Sequence, residues 1–309
     1  MKAIVFAYNV LGKVGLEELL KCGYEVCALV THEDDPNEKI YFESVAKIAE
    51  KKGIKVYAPP SPNTPEFIQI IKDMKPDVLF SFYYRQMISD EILNIVNNNA
   101  YNLHGSLLPK YRGRSPLNWA VLHGETKAGV TLHKMVKKAD RGEMIDQQAF
   151  DILDEDNIKT LQPKMENAGI VLLKRVLPEI LKGTAKSYVQ DESQASYFGG
   201  RKPQDGQIHW DKSAFEIHNL VRAVTDPFPG AFTFCNGKKI IVWSSKLLNH
   251  ANLSGKPGEV VSVEPLTVVT GKDCLVIHKG KVNDEDNLDS SDIVAKANIK
   301  IKNVFSNEL

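Results

Sequence analysis

The chain has 309 residues, 43% of them hydrophobic and 25% charged, with 39 basic and 39 acidic side chains and a formal charge of zero. That composition fits a soluble globular protein of about two domains and excludes a dominant nucleic-acid or membrane-surface role. No apolar run approaches the ~20 residues that span a bilayer, and no cleavable apolar leader precedes the first strand pattern, so no stable membrane insertion and a cytoplasmic location are expected.

Lys2–Tyr8 (KAIVFAY) reads as a buried strand, Val14, Leu16, Leu19 and Leu20 as a helix ended by Gly23, and Tyr24–Thr31 (YEVCALVT) as a second strand. Ser44–Lys52 is helical, Ile54–Tyr57 a short strand, Pro65–Met74 a helix, Asp77–Phe82 a fourth strand and Ala100–Leu103 a fifth. This repeated β-α-β pattern predicts an α/β, Rossmann-like, mostly parallel sheet with helices on both faces. Such sheets bind ligands beyond the carboxyl ends of their strands, which directs attention to residues 104–118. Val130–Val136 and Met144–Phe150 form a later strand pair, and a helix covers about Asn157–Lys182.

Residues 184–206 are polar and Gly-containing, as in a linker. Beyond them the pattern predicts one helix (Ser213–Val224) and short strands at Ala231–Cys235, Lys239–Ser244, Gly258–Val263, Leu266–Thr270 and Cys274–His278. Short strands broken by Gly and Pro predict a small β-barrel-like (OB-like) domain. The expected division is 1–203 for the catalytic domain and 204–309 for the barrel, with Asn283–Asp292 a loose acidic tail or loop. Cys22, Cys27, Cys235 and Cys274 lack metal-ligand spacing and read as buried thiols, so no metal is expected.

Three features fall on the expected ligand face. Strand alternation sends Asn102 and His104 to one side, where two polar groups ending an apolar strand suit a site better than a core. The loop Ser106–Gly113 (SLLPKYRG) is apolar and proline-fixed, and its Lys110 and Arg112 point to an anion. Asp140-Arg141-Gly142 would alone be an ordinary turn, and gains meaning only if the fold brings Asp140 to His104. An amine attacking a formyl carbonyl needs donors for the developing oxyanion, which an Asn amide and a protonated His supply. It also needs proton traffic, which an imidazole beside a carboxylate supplies. No GxSxG elbow and no GxxxxGK[ST] loop is present.

The stretch Asn102–Ile145 (NLHGSLLPKYRGRSPLNWAVLHGETKAGVTLHKMVKKADRGEMI) resembles the core of the folate-dependent formyltransferases. The resemblance implies N10-formyltetrahydrofolate as the co-substrate and Asn102, His104 and Asp140 as the catalytic trio. It implies a folate pocket formed by Gln86, Met87, Ile88, Ser106, Leu107, Leu108, Pro109, Tyr111, Arg112, Gly113 and Lys137. FAYNVLGKVGLEELL, THEDDPNEK, FSFYYR, FGGRKPQDG, LVRAVTDPFPGAF and VWSSK are similar to the branch that formylates the 4-amine of UDP-4-amino-4-deoxy-L-arabinose for lipid A modification and polymyxin resistance. That branch departs from this chain at Gly199-Gly200-Arg201 and at Arg141, which bear on substrate fit. The resemblance implies a fused or partner NAD-dependent decarboxylase domain, and it leaves open an excised or stand-alone chain and a homo-oligomer.

A uridine diphosphate needs fixed cations, for which Arg201 and Arg222 are the first candidates and Arg114 the next, with Asp226 and Phe228 framing a base or ribose. The rival reading is methionyl-tRNA formyl transfer, which demands a basic surface. Residues 201–309 hold 14 Lys/Arg and 13 Asp/Glu, a net of +1, so no nucleic-acid partner is expected. A non-enzymatic folate- or nucleotide-binding module would not need the proton-handling trio.

Overall fold

The computed structural model describes residues 1–34, 40, 42–248 and 255–307. Residues 35–39 of the THEDDPNEK stretch lie outside the described residues. The chain runs β1 (Lys2–Ala7), α1 (Asn9–Lys21), β2 (Glu25–Val30), α2 (Val45–Lys51), β3 (Val56–Tyr57), α3 (Pro65–Met74) and β4 (Val78–Phe82). It continues through α4 (Asp90–Ile95), β5 (Ala100–His104), β6 (Arg112–Gly113), α5 (Pro116–Leu122), β7 (Lys127–Lys134), β8 (Met144–Asp151), α6 (Ile158–Lys182) and β9 (Tyr197–Phe198). Last come α7 (Ala214–Val224), β10 (Ala231–Cys235), β11 (Lys238–Leu248), β12 (Val260–Val263), β13 (Leu266–Val269), β14 (Cys274–Val282), β15 (Glu285–Asp289) and α8 (Ser290–Lys296).

Two compact units result. The first holds Met1–Pro116, Lys127–Asp151 and Gln162–Gly199; the second holds Leu117–Thr126, Ile152–Leu161 and Gly200–Leu309. The first unit's sheet has the order β3-β2-β1-β4-β5-β7-β8. Its first five strands are parallel, and β7 and β8 add an antiparallel edge. This is the mostly parallel, Rossmann-like class that the β-α-β pattern predicts.

Alternation along the strands divides the core. Ile4, Phe6, Val30 and Leu79 face Phe67, Ile71, Ile92 and Leu93 of α3 and α4. On the other face Phe80 and Phe82 stack 5.8 Å apart, and Tyr24 meets Phe80 edge-on while donating to the Leu177 carbonyl of α6. Phe6, Phe80 and Phe82 are fully buried, and each stabilises the fold by roughly 2–3 kcal/mol. The helices start where the sequence offers caps: Ser44, Thr64 and Ser89 each accept the N–H of the third helical residue. Helix α1 begins at Asn9, earlier than its apolar period indicates, and carries Gly12 and Gly15 inside it. A Cβ on Gly15 would fall 2.2 Å from the Phe82 ring, so close packing on the sheet explains the glycine inside the helix. The short helices α4 and α5 were not anticipated from the sequence.

The second unit is an antiparallel sheet of order β10-β11-β14-β13-β12, with β15 on β14. Its closing segment lies past α8. Lys302 and Phe305 donate to the carbonyls of Val260 and Gly258 on the β12 side, while Ser306 and Phe234 of β10 exchange two hydrogen bonds. Residues 302–306 therefore join the two sheet edges, giving the barrel-like closure expected.

Two expectations are corrected. Residues 184–206 are not slack: β9 pairs with β6, Tyr188 exchanges two hydrogen bonds with Met144, and Gln190 is buried. Nor is Asn283–Asp292 a loose tail. Its residues form β15 and the start of α8, where Asp289 caps the Asp292 N–H and Ile293 is wholly buried. The acidic residues read as solvated because a cap and a surface charge look alike in composition. No described helix is long and apolar enough to cross a membrane.

Candidate active site

Asn102 and His104 stand at the carboxyl end of β5, two residues apart and so facing the same way. The antiparallel neighbour β7 sets His133 opposite Asn102 and Thr131 opposite His104. Asn102 Nδ2 is 3.1 Å from His133 Nε2, and His133 Nδ1 is 2.8 Å from the Lys134 carbonyl. A carbonyl only accepts, so Nδ1 carries the His133 proton and Nε2 accepts from the Asn102 amide.

Asp140 enters from the turn between β7 and β8. Its φ of 57° lies in the left-handed region, which Asp tolerates better than most residues. The turn folds back so tightly that a Cβ on Gly142 would fall 1.8 Å from the Lys134 carbonyl oxygen. The Asp-X-Gly pattern is thus an ordinary turn in form and a delivery device in effect. Asp140 Oδ1 lies 3.6 Å from His104 Nδ1 and 3.5 Å from His133 Nε2, and Oδ2 accepts the Gly113 N–H at 2.9 Å.

His104 is buried, and its Nε2 lies 2.8 Å from the Tyr111 carbonyl. That carbonyl fixes the proton on Nε2 and leaves the Nδ1 lone pair toward Asp140. Burial lowers the His104 pKa below the ordinary 6.5, outweighing the pull of Asp140 and of the Tyr111 carbonyl. Burial alone would raise Asp140, but a proton on the His104 or His133 ring, together with the Gly113 N–H, holds its carboxyl well below the usual range. The resting site is therefore a neutral imidazole beside a carboxylate, not the imidazolium expected from sequence.

The loop Ser106–Gly113 is pinned on every side. Thr131 Oγ1 donates to the Ser106 carbonyl at 2.6 Å and accepts the Leu108 N–H, and Gln147 donates to the Leu108 carbonyl. Tyr111 donates its N–H to Ser196. The Arg112 guanidinium, expected to meet a ligand anion, is 2% exposed and bonded to Gln190 Oε1 and both Glu192 oxygens. Its anion is internal because a buried guanidinium needs a partner at all times. Gln190 also donates to the carbonyls of Asp140 at 2.8 Å and Gly142 at 2.7 Å, so this network fixes the Asp140 turn. Sequence reasoning missed His133, Gln190 and Glu192. His133 was legible, since Thr131 and His133 alternate on β7 as Asn102 and His104 do on β5; the other two sat in the segment read as linker.

On the neighbouring loop, Asn63 bonds the Met87 carbonyl and the Ser89 N–H, and Gln86 bonds the Pro60 carbonyl. This bracing holds Ile88 buried and the Met87 side chain 58% exposed, an apolar surface suited to a flat ring. Lys137 is exposed, with Asp90 at 3.8 Å. Among the described residues no cluster of His, Cys, Asp and Glu could hold a metal ion.

The formyl transferase family model matches residues 2–177, and the model of the formyl transferase C-terminal domain matches residues 201–298. The chain belongs to the formyl transferase family. Its fold is shared with the sugar 3N-formyl transferase WlaRD, solved with dTDP and 5-N-formyl-THF, at 23% identity and a TM-score of 0.69, over 90% of this chain and 97% of that one. An N-formyltransferase from Helicobacter canadensis, solved with folinic acid and dTDP-3-aminofucose, matches at 23% identity and 0.70, over 89% and 98%. Methionyl-tRNA formyltransferase from Clostridium thermocellum matches at 17% identity and 0.55, over 81% and 95%.

The remaining candidate residues of the formyltransferase fall in different surroundings. Arg114 is exposed in the first unit, with Nη2 3.5 Å from the Arg85 carbonyl. Within the second unit, Arg201 lies over the Trp119 ring at 4.8 Å and donates to the Asp205 carbonyl. Arg222 is 9% exposed and gives Nη1 to the carbonyls of Leu153 and Asp156 and Nη2 to Asn219. Those bonds brace the unit's own backbone, unlike the diphosphate contact expected of this arginine. Asp226 pairs with Lys159 at 3.6 Å, and the Phe228 N–H donates to the Thr225 carbonyl.

Proposed function

We propose that the chain formylates the amine of a nucleotide-activated amino sugar, specifically the 4-amine of UDP-4-amino-4-deoxy-L-arabinose, in lipid A modification. The observation that carries the transfer chemistry is the buried His104, with Nδ1 3.6 Å from Asp140 Oδ1 and Nε2 tied to the Tyr111 carbonyl. Bound formyl-tetrahydrofolate supplies an electrophilic formyl carbon. His104 Nδ1 takes the proton that the attacking amine must lose, and Asp140 stabilises the resulting imidazolium. The same proton is returned from Nδ1 to the folate nitrogen as its bond to the formyl carbon breaks. The Asn102 amide stabilises the negative charge that develops on the formyl oxygen. The pinned loop Ser106–Gly113 and the exposed Met87 supply the rigid, apolar walls for the folate ring.

The sugar-nucleotide acceptor is supported by the long sequence resemblance outside the shared core. It is also consistent with the near-neutral charge of residues 201–309, which offers few phosphate contacts to an RNA. In the branch so resembled, the domain is joined to an NAD-dependent decarboxylase, which would place that enzyme as a partner. The test incubates the chain with N10-formyltetrahydrofolate and either UDP-4-amino-4-deoxy-L-arabinose or methionyl-tRNA, and follows the formylated product by mass. Product with the sugar nucleotide alone supports the reading; product with the tRNA alone moves the chain to that branch.

A further inference from the structure

A cavity of about 260 Å³ opens past the carboxyl ends of β1, β2 and β3, lined by Tyr8, His32, Asp34, Phe42 and Ser44. It is separate from the residues gathered on Asp140. Its wall is aromatic: Tyr8 meets Phe42 edge-on at 5.2 Å and His32 at 5.4 Å, and His32 stacks on Tyr84 at 4.2 Å. Its acidic group is fixed, since the Tyr8 hydroxyl donates to Asp34 Oδ1 at 3.0 Å. A carboxylate has about four acceptor positions, so one such bond orients Asp34 and leaves capacity for more.

Two arginines lie beside the cavity, whose own lining includes Glu33 as well as Asp34. Arg85 lies over the Tyr8 ring at 4.7 Å, its N–H donates to His32 Nε2 at 2.9 Å, and Arg114 reaches the Arg85 carbonyl. Burial and the nearby Arg85 charge lower His32 to about 4, so its ring is neutral at pH 7 and its proton sits on Nδ1. The turn from β1 into α1 reads Tyr8-Asn9-Val10-Leu11, with none of the glycines that let a diphosphate approach a helix N-terminus. A diphosphate here must be met by side chains.

We propose that this cavity binds the nucleoside of the acceptor, with Asp34 receiving the ribose 2′- and 3′-hydroxyls, the Tyr8, Phe42 and His32 wall holding the base, and Arg85 and Arg114 meeting the diphosphate. The proposal rests on the sugar-nucleotide reading above. An acidic residue just past the second strand of a doubly wound sheet is the usual ribose ligand, and Asp34 holds that place. The cavity is smaller than the ~300–1,000 Å³ of whole-ligand sites, as expected if it takes one end of a longer substrate. From β2 the sheet runs through β1 and β4 to β5, so three strand spacings, roughly 14 Å, lead toward His104. A diphosphate and a sugar ring laid end to end cover such a span.

A carboxylate on the ribose diol selects ribonucleotides over deoxyribonucleotides. Calorimetry with the full chain compares UDP with dUDP, which differ only in the 2′-hydroxyl. UDP binds about tenfold tighter or more, the scale of one charge-assisted hydrogen bond. Asp34→Asn removes most of that difference, and Ala46→Phe, which fills the cavity from α2, weakens both ligands about tenfold. Equal binding of UDP and dUDP to the unaltered protein, or undiminished UDP binding in both variants, overturns the site and leaves the sugar-nucleotide reading standing. Absence of binding by UDP, dUDP and dTDP alike overturns both.

Discussion

His133 and His104 share one carboxylate oxygen: Asp140 Oδ1 lies 3.5 Å from Nε2 of the first and 3.6 Å from Nδ1 of the second. The two rings differ in their other nitrogens. His104 is tied through Nε2 to the Tyr111 carbonyl, and His133 through Nδ1 to the Lys134 carbonyl. Each main-chain tie fixes which nitrogen is left toward Asp140, and the Asn102 amide, which donates to His133 Nε2, separates the two roles: His104 Nδ1 is left to move a proton and His133 to orient.

Asp140→Asn and His104→Ala should each lower the rate of formyl transfer by at least ~100-fold, the usual scale for losing an acid–base group. Both proteins should keep their circular dichroism spectra. Single-turnover measurement of formylated product makes the comparison, and a near-normal rate in either variant would remove that residue from the mechanism.

His133→Gln tests orientation. Asn102 loses its ring partner and Asp140 one neighbour, so kcat should fall by about tenfold while KM for the folate changes little, the pattern of a lost transition-state interaction. A change confined to KM would place His133 in folate binding.

Gln190→Leu should be costly for both stability and rate. It strips the Arg112 guanidinium of one partner and the carbonyls of Asp140 and Gly142 of theirs. Leaving a buried charge part-paired costs about 3 kcal/mol. Thermal unfolding should show a lower midpoint, and kcat should fall because the Asp140 turn loses its brace; an unchanged midpoint would show that the network is dispensable.

Acid should destabilise the fold in a definite window. Burial lowers His32 and His218 from 6.5 to about 4, with Arg85 and Arg222 adding to the shift. In the unfolded chain both rings gain a proton near 6.5, before they do in the fold. Stability is therefore full above that value and declines as pH falls toward 4, by at most ~3 kcal/mol for each. His218→Gln should flatten the decline, measured as the difference in unfolding midpoint between about pH 7 and about pH 5.

The parallel strands of the first unit's main sheet were legible because each is a short apolar run closed by a glycine, a proline or a polar cluster, whereas β6 and β9 lie in segments that read as loop and linker. Asn102 and His104 were legible because period two puts two polar groups on one side of such a run. Asp140 was only half legible: the turn showed, but its arrival at His104 depends on β7 pairing antiparallel to β5, a long-range register that no local pattern contains. Gln190 and Glu192 were not legible at all, since a buried glutamine in a polar segment has the composition of a linker. The charge state of His104 was misread for a related reason: sequence shows the carboxylate neighbour but not the burial that opposes it.

The strip 302–306 does more than complete a wall. A sheet left open along β10 and β12 would present two rows of unpaired N–H and C=O groups, each a template for another chain. Five residues at the far end of the sequence pair with both edges at once, beside the bridge that Gln207 and Ile208 make to Phe232. Loss of that strip would convert a self-contained barrel into a molecule with two adhesive flanks, and the first symptom would be self-association rather than lost catalysis.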